Sequence, residues 1–136
     1  MLNLHAVESS GIHAEKLQQT TQSWDGSDLP DFTGTETQVS MLKITIDPGA
    51  RLPLHKHPVI NAGMLLEGEL TVETEAGATT HLQAGDTLVE VVNTWHYGRN
   101  EGSVPAVIFV VYVGGKDEPL TISKSISGEW RLVDPW

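Results

Sequence analysis

From residue 39 onward, the chain alternates short apolar segments with turn signals, and no segment there has a convincing helical period. In the first segment Leu42, Ile44 and Ile46 recur at every second position, which is the period of a strand with one buried face. The sequence D-P-G at residues 47–49 then predicts a turn. Strand-length segments broken roughly every 8 to 12 residues are typical of sandwiches and barrels. We therefore predict an all-β fold.

The 136 residues fit one domain with one core. Residues 1–35 are polar and carry several turn signals, so we interpret them as a short N-terminal arm that Trp24 attaches to the body. Residues 36–136 then form the barrel domain. Within it, the run Val104–Val113 is apolar at almost every position, which predicts a strand covered on both faces.

Charge excludes several classes of partner. Eight basic and eighteen acidic residues give a net charge of −10, which repels phosphate backbones and anionic membranes.

The longest apolar run has ten residues, too few for a membrane helix of about 20. The N-terminus has no basic lead and meets Glu8 early, so we expect no secretory signal and a cytoplasmic protein. The absence of cysteine excludes disulfides and thiolate chemistry within this chain.

Three of the six histidines lie near predicted turns. His55 and His57 are two residues apart, so on a strand they face the same side. His96 follows the predicted strand at residues 87–92, where a loop can direct it inward. Imidazole suits zinc, iron, nickel and copper. An isolated H-x-H is more often a surface or core feature, so the spacing alone leaves metal binding open.

The stretch from Gly49 to Gly68 resembles the first cupin motif, which is a Gly, five residues, H-x-H, three or four residues, a Glu, six residues and a Gly. Gly49, His55, His57 and Gly68 fall in place. Asn61 stands where the motif has its Glu.

The stretch from Gly85 to Asn100 resembles the second motif, with Gly85, His96 and Asn100 in place. Val91 replaces its Pro and Asn93 its second Gly, although Asn tolerates the positive φ of that turn. The resemblance covers about residues 39–115, and it is to a small bacterial single-domain cupin.

The resemblance implies a double-stranded β-helix, or jelly-roll barrel, behind the short arm. It also implies one divalent metal ion (Fe, Ni, Mn, Zn or Cu) at the barrel mouth, held by His55, His57 and His96. Asn61 would occupy the fourth position or hydrogen-bond a bound ligand. Because an amide oxygen is neutral, replacing the carboxylate weakens the attraction for a cation. Cupins commonly pair their sheets, so we expect a homodimer.

Four further residues are candidates for the ligand pocket, and each has a simpler interpretation. Glu90 lies in the apolar run T-L-V-E-V-V; we favour an exposed or hydrogen-bonded buried carboxylate over a general base with a raised pKa. Met64 is a candidate for the interior, Trp95 for packing, and Tyr97 for a ligand contact or a rim position.

The sequence supports two functional hypotheses of different classes. The first is a metal-dependent enzyme of dioxygenase, isomerase or decarboxylase type that acts on a small molecule. The second is a non-catalytic cupin that binds a small ligand or a metal. A metal-free isomerase-like cupin is a third class, for which the chain offers Tyr97 but no assigned His pair.

Overall fold

The computed structural model describes residues 6–9, 11–31, 36–124 and 130–132. Parts of the predicted arm (1–5, 10 and 32–35) and of the predicted barrel domain (125–129 and 133–136) lie outside the described residues. The strands are β1 (Ala6–Ser9), β2 (Ile12–Glu15), β3 (Thr37–Ile46), β4 (His55–Lys56), β5 (Ile60–Glu67), β6 (Glu69–Thr74), β7 (Thr79–Gln83), β8 (Thr87–Val89), β9 (His96–Arg99), β10 (Ala106–Gly115), β11 (Ile122–Lys124) and β12 (Trp130–Leu132).

Two larger antiparallel sheets and the hairpin β1–β2 account for these strands. One sheet has the order β3-β10-β5-β8 and the other has the order β12-β11-β4-β9-β6-β7. None of the described residues is helical, and so none belongs to a helix long and apolar enough to span a membrane. The predicted all-β jelly-roll fold is therefore confirmed.

The core lies between the inner faces of the two sheets. In β3, exposed and less exposed residues alternate along the strand, as the sequence pattern predicts, and Ile46 at its end is buried. Leu65 of β5 and Ile108 of β10 are buried in the same cluster as Leu70 and Val72 of β6. Burial of these aliphatic side chains supplies most of the driving force for closing the barrel.

The prediction that Val104–Val113 is covered on both faces is correct for only part of the run. Residues 106–108 are buried, but from Phe109 onward exposed or half-buried positions alternate with buried ones. The strand β10 pairs with β3 and β5, and one face of that sheet is open to solvent at Phe109. A continuous apolar sequence does not distinguish burial on two faces from an apolar outer face.

The structure shows why Asn93 and Asn100 fit their positions in the second motif. Asn93 has a φ of 54°, so the asparagine adopts the left-handed conformation expected of the glycine it replaces. Asn100 is buried, and its Nδ2 donates to the carbonyls of Ile46 (3.0 Å) and Val104 (2.8 Å). Its Oδ1 accepts a hydrogen bond from the Gly102 N–H at 2.9 Å. The asparagine thus joins the end of β3 to the loop between β9 and β10.

Trp24 contacts the barrel at the end of β8. Its backbone N–H donates to the Val89 carbonyl at 3.0 Å, and its indole Nε1 donates to Glu90 Oε1 at 2.9 Å. The neighbouring Ser23 hydroxyl donates to the Glu90 carbonyl at 2.9 Å. The segment before residue 25 is therefore held against the loop that leads to His96.

Candidate metal centre

Three histidine rings lie together inside the barrel. His55 is in β4 and His57 follows that strand, while His96 begins β9, where it is the direct register partner of His55. The ring centroids are 4.8 Å apart for His55–His57, 4.4 Å for His55–His96 and 4.9 Å for His57–His96. One nitrogen from each ring lies within 4.8 Å of the others. All three side chains are buried.

Backbone carbonyls determine which nitrogen of each ring carries the proton. The Nδ1 atoms of His55, His57 and His96 lie 2.7, 2.9 and 2.7 Å from the carbonyls of residues 53, 120 and 94. Because a carbonyl only accepts, each Nδ1 must be the protonated donor. In the neutral ring Nε2 then carries the lone pair that binds a metal, and the carbonyl bond fixes the ring orientation.

Two of the histidines resist protonation. Burial, with further contributions from the other histidines, lowers the pKa of His55 from 6.5 to about 3. Burial and the charge of His96 lower the pKa of His57 to about 4. Both rings are therefore neutral at pH 7, the protonation state that a metal ligand requires.

Glu90 directly follows β8, and its side chain lies beside the three histidines. Its Oε1 accepts hydrogen bonds from Trp24 Nε1 (2.9 Å) and the Val91 N–H (3.0 Å). Its Oε2 lies 3.4 Å from His96 Nε2. The favoured interpretation of a hydrogen-bonded buried carboxylate agrees with this geometry.

The alternative of a raised pKa for Glu90 is wrong. Burial alone raises the pKa of this carboxyl group, but the charge of His96 and the surrounding donors lower it to about 2. For His96 the balance is reciprocal: burial lowers its pKa, but the adjacent Glu90 carboxylate raises it above 6.5. The two side chains stabilise each other's charged forms.

Asn61 lies in β5 opposite Tyr112 of β10, and its side chain is buried. Its Nδ2 has no hydrogen-bond partner among the described residues. An unpaired buried amide costs free energy of about 1–3 kcal/mol, so a ligand oxygen at this position would relieve a standing penalty.

The histidines, Asn61 and Glu90 line one cavity of about 50 Å³. Aliphatic side chains form most of the remaining wall: Ile44, Ile46, Leu52, Leu70, Val72, Leu88, Ile108 and Val110. Gly63, Gly98 and Tyr112 complete the lining. The Tyr112 ring lies 5.6 Å from that of His57, and burial raises the pKa of its hydroxyl. The sequence does not predict Tyr112 as a site residue, because the apolar run around it is typical of core residues.

Three predicted pocket residues are not among the residues that line this cavity. Met64 of β5 is the register partner of Phe109 in the adjacent strand β10, and Phe109 is exposed. The Tyr97 hydroxyl donates to Glu73 Oε2 at 3.0 Å, in a network with Arg99. The Trp95 ring lies 4.9 Å from the Lys56 ammonium.

The donor set fits a divalent metal ion. His96 Nε2 is buried and makes no hydrogen bond to the described residues, and its nearest charged neighbour is Glu90 Oε2 at 3.4 Å. Three imidazoles with fixed tautomers and a nearby carboxylate form a set that suits zinc, iron, nickel or copper. The ring nitrogens of His55, His57 and His96 would hold the ion.

Comparison with solved structures finds similar barrels in several enzymes. An oxalate oxidase in complex with the substrate analogue glycolate is 27% identical, with a TM-score of 0.54 over 62% of this chain and 45% of that chain. The oxalate decarboxylase of Lactobacillus farciminis, in a formate complex, is 28% identical, with a TM-score of 0.54 over 65% and 27% of the two chains. The DMSP lyase DddQ of Ruegeria pomeroyi shares the fold at 21% identity, with a TM-score of 0.58 over 67% and 45%.

This chain spans less than half the length of each of those three structures. No curated protein matched the chain. A family model described as "Cupin domain" matches residues 42–112, about half of the sequence and the whole region that supplies the three histidines. On this match and on the fold, the chain belongs to the cupin family.

Proposed function

We propose that this cupin binds one divalent metal ion through His55, His57 and His96 and acts as a metal-dependent enzyme on a small molecule. The observation that supports this most strongly is the set of three buried rings whose Nδ1 atoms all donate to backbone carbonyls. Such bonds orient imidazoles for a common ion before it arrives.

The remaining residues of the cavity would select and orient the substrate. The volume of about 50 Å³ limits a ligand to a few non-hydrogen atoms, and aliphatic side chains form most of the wall around it. Asn61 Nδ2 would donate to a ligand oxygen. When bound, a divalent metal ion supplies Lewis-acid or oxygen-activating chemistry. Glycolate and formate in the similar structures make small carboxylates the first class to test.

Removal of a ligand histidine tests the metal site directly. We expect His55→Ala and His96→Ala to weaken Zn²⁺ or Co²⁺ binding by at least about 100-fold, since even outer contacts to a site commonly contribute 10- to 100-fold. Isothermal titration and metal analysis of protein purified without added metal measure the effect. His81→Ala is the matched control, because His81 is exposed and outside the cavity lining. Equal binding by all four proteins would refute the proposal.

A non-catalytic binding protein is the second candidate, and the amide at Asn61 favours it because the motif's carboxylate is absent there. In its metal-binding form this candidate predicts metal binding as the enzyme does. Incubation of the metal-loaded protein with small carboxylates, with and without dioxygen, separates them: product formation that His96→Ala abolishes supports the enzyme, and binding without turnover supports the alternative.

We also propose that two copies of the chain associate through the outer face of the sheet β3-β10-β5-β8. Val39 and Met41 are 56% and 67% exposed there, and Phe109 is 38% exposed. Exposed apolar side chains gathered on one sheet face are typical of protein–protein contacts, although the exposed Lys43 lies beside Phe109 on the same face. Gel filtration should give about twice the chain mass of 14.8 kDa, and Met41→Lys should shift it towards the monomer. The exposed Leu17→Lys is the control, and a monomeric wild type would contradict the prediction.

A further inference from the structure

We propose that Glu90 supplies the anionic metal ligand that Asn61 cannot, so that the site consists of three histidines and a carboxylate from a neighbouring strand segment. This inference rests on the proposed metal site and assigns a fourth ligand to it. It differs from the motif, in which the carboxylate would be at position 61.

Positions 61 and 90 are neighbours in the sheet. The Glu90 N–H donates to the Asn61 carbonyl at 3.0 Å, and both side chains line the same cavity. Adjacent strands are about 4.8 Å apart. A carboxylate at residue 90 therefore starts about one strand spacing away from the place that a carboxylate at residue 61 would occupy. The longer reach of a glutamate compensates for part of that displacement.

The environment of Glu90 directs one oxygen at His96, one of the three histidines. Two donors, Trp24 Nε1 and the Val91 N–H, hold Oε1 at 2.9 and 3.0 Å. The other oxygen, Oε2, faces His96 Nε2 at 3.4 Å. A carboxylate held by one oxygen and directed by the other has the arrangement of a monodentate ligand.

The distance between the two facing atoms matches two ligands of one ion. Oε2 of Glu90 and Nε2 of His96 are 3.4 Å apart, which is longer than a charge-assisted hydrogen bond of about 2.7–2.9 Å. Metal–ligand bonds of roughly 2.0–2.2 Å at a tetrahedral angle place two donor atoms about 3.4 Å apart. The spacing therefore suits two ligands of one cation, and without the cation it is that of a loose ion pair.

The charge of the cavity leads to the same conclusion. Glu90 is buried, and no lysine or arginine is among the residues that line the cavity. A buried carboxylate needs a compensating positive charge. In the metal-free protein His96, which faces Glu90 Oε2, can supply that charge. When all three imidazoles are neutral and hold a divalent ion, the ion supplies it instead, and the carboxylate restores the anionic ligand lost at Asn61.

The test compares metal affinity and the Co²⁺ absorption spectrum in matched variants. Glu90→Gln keeps the size of the side chain and an acceptor for Trp24 but removes the charge. We expect it to weaken Co²⁺ binding about 10- to 100-fold, measured by chelator competition, and to change the ligand-field absorption bands. Glu67→Gln is the control, since Glu67 is exposed and is not among the cavity-lining residues. Glu90→Asp keeps the charge but withdraws the carboxylate oxygen from His96, so it should also change the ligand-field absorption bands. This variant replaces Glu90→Gln in the test if Glu90→Gln does not fold.

A transplant variant separates coordination from simple loss of charge. If the site needs one carboxylate beside the three histidines, Asn61→Glu combined with Glu90→Gln should recover most of the affinity. Unchanged affinity and spectrum in Glu90→Gln and Glu90→Asp, with binding lost in His96→Ala, would overturn the role of Glu90 and leave the three-histidine site intact. Failure of the wild type to bind any metal would overturn both proposals.

Discussion

Acidification from pH 6.5 to 4.5 is expected to destabilise the metal-free protein by roughly 4 kcal/mol through two buried histidines. The pKa values of His55 and His57 fall to about 3 and about 4 in the folded state, chiefly because both rings are buried. In the unfolded chain each histidine takes up a proton near pH 6.5. Between these values the unfolded state binds more protons, so stability decreases as the pH falls.

The pair Glu90–His96 changes the pH dependence of stability mainly below pH 4.5 and above pH 6.5. The pKa of Glu90 falls to about 2, so its contribution is present above its unfolded value near 4.5 and is lost only as the pH falls below that. The pKa of His96 is raised, so its contribution is complete below 6.5 and is lost as the pH rises through the folded value. The metal-free protein should therefore be most stable near neutral pH.

Urea unfolding of the chelator-treated protein between pH 4.5 and 8 measures this dependence. Near pH 5 the slope attributable to the two histidines is about 2–3 kcal/mol per pH unit. A His55→Gln, His57→Gln double variant cannot take up those protons and should show a correspondingly flatter profile. His81→Gln, at an exposed position, is the control. If the double variant retained the wild-type slope, other groups would be responsible for the acid sensitivity.

Replacing Gly68 by alanine is expected to cost roughly 3 kcal/mol or more of folding free energy. Gly68 connects β5 and β6 with a φ of +76°, a conformation that costs an L-residue about 1–2 kcal/mol. A Cβ at this position would also overlap the carbonyl oxygen of Pro105, a backbone atom that cannot rotate away. Overpacking of this kind adds about 1–3 kcal/mol.

Two other glycines separate these effects. Gly77 has a φ of +100°, but a Cβ there would meet no atom within 4 Å, so Gly77→Ala measures backbone strain alone. At Gly63 no positive φ is involved, but a Cβ would overlap the Phe109 carbonyl oxygen, so Gly63→Ala measures the steric effect alone. Thermal or urea unfolding should rank Gly68→Ala below Gly77→Ala in stability. A Gly68 variant as stable as the Gly77 variant would show that the turn relaxes around the added methyl.

Much of the fold is predictable because it depends on local patterns. The alternation in β3, the turn positions and the two motifs are read from residues close together in sequence, and the structure confirms the barrel. Burial of β10 is different, since it depends on whether another layer covers the second face. The exposed Phe109 shows that no such layer is present there among the described residues.

In the candidate site, too, some residues are predictable from local sequence and others only from the tertiary structure. The sequence by itself determined the three histidines, because the motif spacing and the strand period together place them. It also identified Asn61 as the departure from the motif. Only the tertiary structure brought Glu90 and Tyr112, which are distant from His55 in sequence, into the lining of the same cavity. Their distances to the histidines depend on strand register and on Trp24, whose indole N–H holds one oxygen of Glu90 and leaves the other facing His96. Such long-range contacts leave no signal in a single sequence, since each of these residues has an ordinary local context.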